Sequence, residues 1–396
     1  MNNRRPRVAF VVQRCGEEVN GGSEAHCLAA AIHMQAEWDV EILTTCAVDY
    51  TTWNNYYPPG RSEVRGVSVT RFSVAESRDM GRFSALCRDL FSRLGSVTIE
   101  EAEKWMDEQG PLSPDLLGYI DRHRQDYDAF LFFTYLYATT YQGLPLVADR
   151  AYLVPTAHDE PPIYLPIWDS WFQKPQGFIL NTPEEKQFLE QRFPSVHLKG
   201  QIAGVGIDLP ADYSSQRFRS AYGVHDPYML YVGRIDINKG CGELFDYFQR
   251  YKTDRPEPLK LVLAGKPIIP IPEHPDIISL GFVDEQTKFD AISGAALVVN
   301  PSPYESLSMI LLEAWSLDRP VLVSGKSAAM VGQCKRSNGG LWYESYPEFV
   351  ACIKEIGRNR WIACGANRFI ESNYAWLAIR KKYLSTISFN TNGRRE

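Results

Sequence analysis

The sequence is poor in the features that mark secreted, membrane-spanning and metal-scaffolded chains. Its eight cysteines are scattered over 396 residues with no C-x-x-C pair. A chain of this length buries roughly 75% of its unfolded surface and needs no covalent staples, so the cysteines are expected to be reduced thiols of a cytosolic protein. No apolar run approaches the ~18 residues that span a bilayer, and Val8–Val12, behind the basic opening "MNNRRPR", is too short for a signal-peptide core. Cys/His zinc spacing, H-E-x-x-H and G-x-S-x-G are all missing, so nothing requires a metal and no serine nucleophile is marked. "SGKS" at 324–327 falls short of a phosphate loop because Pro320 stands where that motif needs glycine. Asp126-Tyr127-Asp128 precedes its strand and reads as a turn rather than a metal-binding acid pair. The formal charge of −6 lacks the basic excess of a dedicated nucleic-acid binder, and no nucleic-acid partner is expected.

What is present is a steady alternation of short β-rich runs and helical periodicity. "RVAFVVQRCG" breaks into a glycine-containing loop, "GGSEAHCLAAAIHMQAE" reads as a helix and "DVEILTTC" as the next strand. "VSVTRF", "DAFLFFTYLY", "AYLVPTAH" and "GFILNT" continue the strands, and Thr182-Pro183 opens a helix with two acids in its first turn. After "GVGIDLP" the pattern restarts with "PYMLYVGRID", "LKLVLAGKP", "IISLGFV", "ALVVNPS" and "PVLVSG" as strands. The expected fold class is therefore α/β, two parallel-sheet units with a boundary near residues 204–212. Residues 61–93 carry seven arginines against four acids, which fits a solvated face or a docking surface for an anionic acceptor or membrane.

Ligands of such sheets sit beyond the carboxyl ends of the strands, and four loops there carry polar patterns. "YVGRIDINKG" sets Arg234 and Lys239 between Gly233 and Gly240 directly after a strand, a pairing suited to a diphosphate. In "NPSPYESLSMILLEAW", Pro301 and Pro303 force extended backbone, so a helix is expected from about Glu305 or Ser306. The amides of Ser306, Leu307 and Ser308 would then be free to meet an anion. Glu313 would lie about 80° around and 12 Å along from Glu305 on an ideal helix, so the two acids would serve separate parts of a long ligand. "AYLVPTAHDE" ends a strand at His158, and "CGEEVNGGSEAH" brings Gly16, Gly21 and Gly22 to a helix start without the G-x-G-x-x-G spacing of a dinucleotide site. Taken singly, each has a plain structural explanation: a compensated helix start and a surface acid, two bases in a turn, a hydrogen-bonded histidine, a flexible loop.

Taken together and in this order, these residues resemble glycosyltransferase family 4, retaining nucleotide-sugar-dependent enzymes of the GT-B fold. "NGGSEAH", "PTAHDE", "YVGRIDINKG", "LGFV" at 280–283 and "ESLSMILLE" each resemble a motif of that family, over nearly the whole chain. The resemblance implies two Rossmann-like domains facing across a central cleft: residues 1–206 on the acceptor side, completed by a C-terminal helix 373–390, and residues 207–372 for the donor. It implies that Arg234 and Lys239 hold the donor diphosphate, Glu305 the donor sugar and Glu313 the ribose hydroxyls. The amides of Leu307 and Ser308, with Ser306, would lie on phosphate or sugar oxygens, Phe282 and Val283 beside the base, and His158 and Gly22 at the reacting centre. His158, Glu305, Arg234 and Lys239 are thus the implied catalytic set. Many members have glycine where Ser308 stands, and the five-residue arginine–lysine spacing varies.

The resemblance further implies transfer of a sugar from a nucleoside-diphosphate sugar to a hydroxyl of a glycan or lipid-linked acceptor, without metal or other cofactor. The setting would be the cytoplasm, with peripheral contact at the inner membrane as one reading of the arginine-rich stretch, in surface polysaccharide or glycoconjugate synthesis. Three rivals remain: an epimerase or sugar-phosphate synthase of the same fold, a non-catalytic nucleotide-sugar-binding protein, and, least favoured by the first glycine loop, a dehydrogenase.

Overall fold

Strands that must pack on both faces read as unbroken apolar runs, and the most apolar runs of this chain sit at the centres of two sheets. The computed structural model describes residues 4–19, 21–359 and 361–389, so residues 1–3 and position 390, at the limits of the expected first domain, lie outside it. The chain divides into two compact units, Met1–Gly206 with Trp376–Glu396, and Ile207–Ala375.

Among the described residues the first unit holds eight strands: β1 (Arg7–Val11), β2 (Asp39–Thr45), β3 (Gly60–Val64), β4 (Val67–Phe72), β5 (Ala129–Phe133), β6 (Ala151–Val154), β7 (Gly177–Leu180) and β8 (Gly200–Ile202). Their order in the sheet is β3-β4-β2-β1-β5-β6-β7-β8, parallel throughout except for β3 against β4. β5 is buried at all its positions, and Phe130 and Phe132 pack into one cluster with Trp105, Trp168 and Phe178. The helix Trp376–Thr386 belongs to this unit: Trp376 stacks on His33, and Tyr383 Oη lies 2.8 Å from His26 Nε2. Burial holds His26 down to about 3, so this contact joins neutral groups.

The second unit is a six-stranded parallel sheet of β9 (Tyr228–Val232), β10 (Lys260–Ala264), β11 (Ile277–Gly281), β12 (Leu297–Asn300), β13 (Val321–Ser324) and β14 (Gly340–Tyr343), ordered β11-β10-β9-β12-β13-β14. The order reverses beside β9, whose neighbours are β10 and β12, so the loops leaving β9 and β12 lie side by side. The two parallel-sheet units expected from the sequence are both present.

The strands β3, β8 and β14 are absent from the pattern read above, and β3 is the longest of them. Its residues are mostly exposed and pair on one side only, and Arg65-Gly66, both at positive φ, turn it tightly onto β4. The arginine-rich stretch around it has structural employment. Arg71 and Arg78 are buried, Arg82 pairs with Glu108, and Arg93 pairs with Asp89 and Glu101. Among the described residues, no helix is long and apolar enough to cross a membrane.

Candidate functional site

In the second unit the sequence-marked residues gather on the loops after β9, β11 and β12. Behind β9 the chain turns at Gly233 (φ 146°) and runs through Arg234 to the short 3-10 turn Ile237–Lys239. Asp236 accepts from the Asn238 amide at 3.0 Å, and Gly240 (φ 74°) passes the chain into the helix Cys241–Asp254. Arg234 Nε lies 3.7 Å from Asp236 Oδ2, and its carbonyl accepts from Tyr231 Oη at 2.5 Å. Lys239 Nζ lies 2.8 Å from Glu305 Oε1, so the β9 loop and the β12 loop meet through a lysine and a glutamate that the family resemblance assigns to one donor.

The β12 loop departs from expectation. The helix does not begin at Glu305 or Ser306 but spans Met309–Ser316, with Ser308 at the N-cap. Asn300, the last residue of β12, causes the delay. Its Oδ1 accepts from the Ser302 amide at 3.0 Å and its Nδ2 donates to Ser308 Oγ at 2.9 Å, clipping residues 301–308 into a loop. The first-turn amides are thus those of Met309 onward, and Ser306, Leu307 and Ser308 precede the helix. Glu305 is not on the helix at all, so the ideal helical offset between it and Glu313 does not apply.

Glu313 is buried one turn into that helix, and Lys288 Nζ, from the helix Glu285–Gly294, lies 2.8 Å from its Oε1. Burial pushes the Glu313 carboxyl up, and Lys288 counters it only in part. Phe282, just past β11, is 63% exposed, and Val283 beside it is half-buried. The structure therefore joins Glu305 to Lys239, and Glu313 to a lysine that no motif marks. Asn300 is equally unmarked, although an Asn between a strand and a proline is a recognisable turn former.

In the first unit, His158 follows β6 and is partly buried, with Nδ1 3.5 Å from Glu160 Oε1; Tyr135 Oη donates to the same oxygen at 2.8 Å. The backbone just before it is strained, Thr156 having φ 50°, a rare conformation for a β-branched residue. Glu185 holds it: Oε1 accepts from the Ala157 amide at 2.6 Å and Oε2 from the Asn181 amide at 2.5 Å. Gly22 opens the helix Gly22–Met34 with open space where a Cβ would stand, whereas a Cβ at Gly21 would overlap the Glu24 carboxylate. Burial works against that carboxylate, but Arg14, bonded to it through Nε at 2.9 Å, together with the Ser23 hydroxyl and a backbone amide, more than offsets the cost and lowers its pKa. The sequence marks Glu185 only as a first-turn acid and Glu24 only as part of the first glycine loop, and it marks Arg14 not at all.

Glu185 makes a testable pH signature. Burial pushes its carboxyl up to about 8, against the amides of Asn181, Ala157 and Thr182. An acid whose folded pKa lies above its unfolded value of about 4.3 contributes stability that is present at low pH. That contribution is lost as pH rises through the folded value of about 8. Wild-type protein is expected to lose melting temperature relative to Glu185→Gln as the pH is raised from about 6 to 9; a constant difference across that range would refute the assignment.

Among the described residues, no group of three or more His, Cys, Asp or Glu side chains is placed to hold a metal ion. Residues 226–359 match the family described as Glycosyl transferases group 1. A glycosyltransferase of Methanocaldococcus jannaschii, itself uncharacterized, is 28% identical over 229 residues, which is 52% of this chain and 54% of that protein. The match thus spans about half the length of that curated relative. Among solved structures, the sucrose-phosphate synthase of Thermosynechococcus elongatus superposes with a TM-score of 0.70 at 16% identity, covering 96% of this chain and 98% of its own. The Anabaena protein HepE, solved in complex with UDP-glucose, superposes with a TM-score of 0.63 at 14% identity, with 96% and 98% covered. At these identities the likeness establishes the fold alone: the chain has the GT-B fold, and the family match lies within its second unit.

Proposed function

We propose that this protein is a retaining glycosyltransferase. It would move a sugar from a nucleoside-diphosphate sugar to a hydroxyl of a glycan or lipid-linked acceptor, without a metal, in surface polysaccharide or glycoconjugate synthesis. The observation that carries this reading is the Lys239–Glu305 pair, which sits with Arg234 where the β9 and β12 loops adjoin, inside the matched domain. HepE, of the same fold, binds UDP-glucose, which supports a nucleotide sugar as the donor. The work is assigned to the cytoplasm, with the inner membrane as the site of any peripheral contact.

The chemistry follows from charge. As the bond between the anomeric carbon and the phosphate oxygen breaks, negative charge grows on the leaving diphosphate. Arg234 and Lys239 are cations preorganised to meet it. Glu305, now in contact with Lys239, accepts from donor-sugar hydroxyls once the diphosphate draws the lysine. The backbone amides from Leu307 through the start of the helix Met309–Ser316 add donors. The acceptor oxygen bonds to the anomeric carbon on the face the phosphate leaves, and its proton passes to the departing phosphate. No carboxylate nucleophile is then required, unlike the paired acids of glycosidases. His158, in the first unit, lies on the strained segment that Glu185 holds, and its catalytic role rests on the family resemblance.

The decisive experiment is a thermal-shift panel with UDP, GDP, ADP and NAD in EDTA. Binding to the folded state stabilises by about 2.7 kcal/mol at 100 times Kd, so one nucleoside diphosphate is expected to raise the midpoint clearly. A response to NAD alone would return the case to dinucleotide chemistry. Transfer to a non-nucleotide acceptor, followed by mass spectrometry, separates a transferase from an epimerase, and it is expected to persist in EDTA; abolition by EDTA would overturn the metal-free mechanism.

A further inference from the structure

Lys288 belongs to none of the patterns that mark the donor site, yet it touches one of the two signature glutamates. Its Nζ lies 2.8 Å from Glu313 Oε1 and 2.6 Å from Glu285 Oε1. The Lys288 and Glu313 side chains are nearly withdrawn from water, at 16% and 10% exposure, whereas Glu285 stands in solvent. A buried ammonium and a buried carboxylate each carry a desolvation cost that only good mutual geometry offsets. Burial works against the Lys288 charge and is outweighed by Glu313 and Glu285. These are the charged groups that face one another here: Glu285 and Lys288 from one helix, Glu313 from the other.

A rotatable carboxyl, free to take up a proton, is a poor reader of a diol. To accept from two vicinal hydroxyls it must be ionised and fixed. We propose that Lys288 is a positioning residue for nucleoside recognition: its ammonium grips one oxygen of Glu313 and so aims the carboxylate at the ribose hydroxyls of the donor. The proposal rests on the reading of Glu313 as the ribose contact. It adds that ribose selection depends on a lysine 25 residues earlier in the chain, on a different helix. Because Lys288 works through Glu313, its loss should act on the ribose and not on the rest of the nucleotide.

The test compares UDP, GDP and ADP with their 2′-deoxy counterparts by calorimetric titration, on wild type, Lys288→Met, Lys288→Arg, Glu313→Gln and the Lys288→Met/Glu313→Gln double variant. Hydrogen bonds to a charged group correspond to about tenfold or more in affinity, so wild type is expected to favour the ribonucleotide by at least that ratio. Lys288→Met should collapse the ratio to within about threefold, and Lys288→Arg should restore most of it. Lys288→Met should add nothing in the Glu313→Gln background. Ribonucleotide affinity of Lys288→Met should also recover as pH rises, because the carboxyl it leaves unpaired then recharges. A lysine that only stabilised the fold would weaken both nucleotides alike, leave the ratio intact and overturn the proposal. Tighter binding by Lys288→Met would overturn it too, since the lysine would then be blocking the ribose. Should Lys288→Met fail to fold, Lys288→Gln carries the same ratio test. Wild-type binding without ribose preference would instead reject the role of Glu313, and no binding of any nucleotide would reject the donor site as a whole; either also ends the proposal.

Discussion

Lys239→Ala is expected to lower kcat/KM for the donor by about two to three orders of magnitude while barely moving the melting temperature. The kinetic loss has two sources. One is the missing cation: removing a preorganised group that stabilises transition-state charge typically costs about 2.7–4 kcal/mol. The other is Glu305, which loses the partner 2.8 Å away and presents an unbalanced carboxylate to an anionic leaving group. The small effect on stability has its own reason. Lys239 and Glu305 side chains are 33% and 16% exposed, and a pair with that much access to water contributes about 0–1 kcal/mol. Steady-state kinetics with the donor identified by thermal shift, alongside a melt, separates the two. Glu305→Gln in the Lys239→Ala background should restore part of the nucleotide affinity, because the repulsion is gone. A drop in kcat/KM of less than tenfold would remove Lys239 from the diphosphate site.

Much of the frame around Lys239 is legible in the sequence. β5, β9 and β12 are apolar because both faces of a parallel sheet are covered, and that constraint writes itself into composition. The Thr182-Pro183 start is legible because capping is a local event, and the Thr182 side chain does accept from the Glu185 amide. Three features are opaque, each because its cause is not local. β3 is polar and exposed, held by its turn and a single neighbour rather than by burial. The helix after β12 starts at Met309 because Asn300 reaches across eight residues to Ser308, a side-chain clip that outweighs the helix propensity of the residues between. The Lys288–Glu313 pair joins two helices whose packing must be known before the pair can be seen. The spacing of Glu305 and Glu313 does mark two acids with separate partners, but an ideal helix is the wrong reason for it. They are separated because one lies in a loop with Lys239 and the other on a helix with Lys288.

Gly240→Ala is expected to abolish the nucleotide-induced thermal shift and to lower the melting temperature itself. Gly240 has φ 74°, and a Cβ there would overlap the carbonyl of Pro301, a backbone atom that cannot rotate away. Left-handed backbone costs a non-glycine residue about 1–2 kcal/mol, and overpacking typically adds about 1–3 kcal/mol. At about 2–4 °C per kcal/mol for a domain of this size, the midpoint should fall by roughly 5–15 °C. The functional loss comes from position. Gly240 directly follows Lys239, and Pro301 heads the loop that carries Glu305, so relief of the overlap must push apart the two loops whose side chains meet. Gly357→Ala is the matched control, with the opposite sign. Gly357 lies in the helix Tyr346–Arg358 with open space where a Cβ would stand, so alanine should stabilise by up to about 1 kcal/mol and leave nucleotide binding alone. If Gly240→Ala melts lower yet binds the nucleoside diphosphate as wild type does, the β9 and β12 loops act independently, and a donor site built on their contact is ruled out.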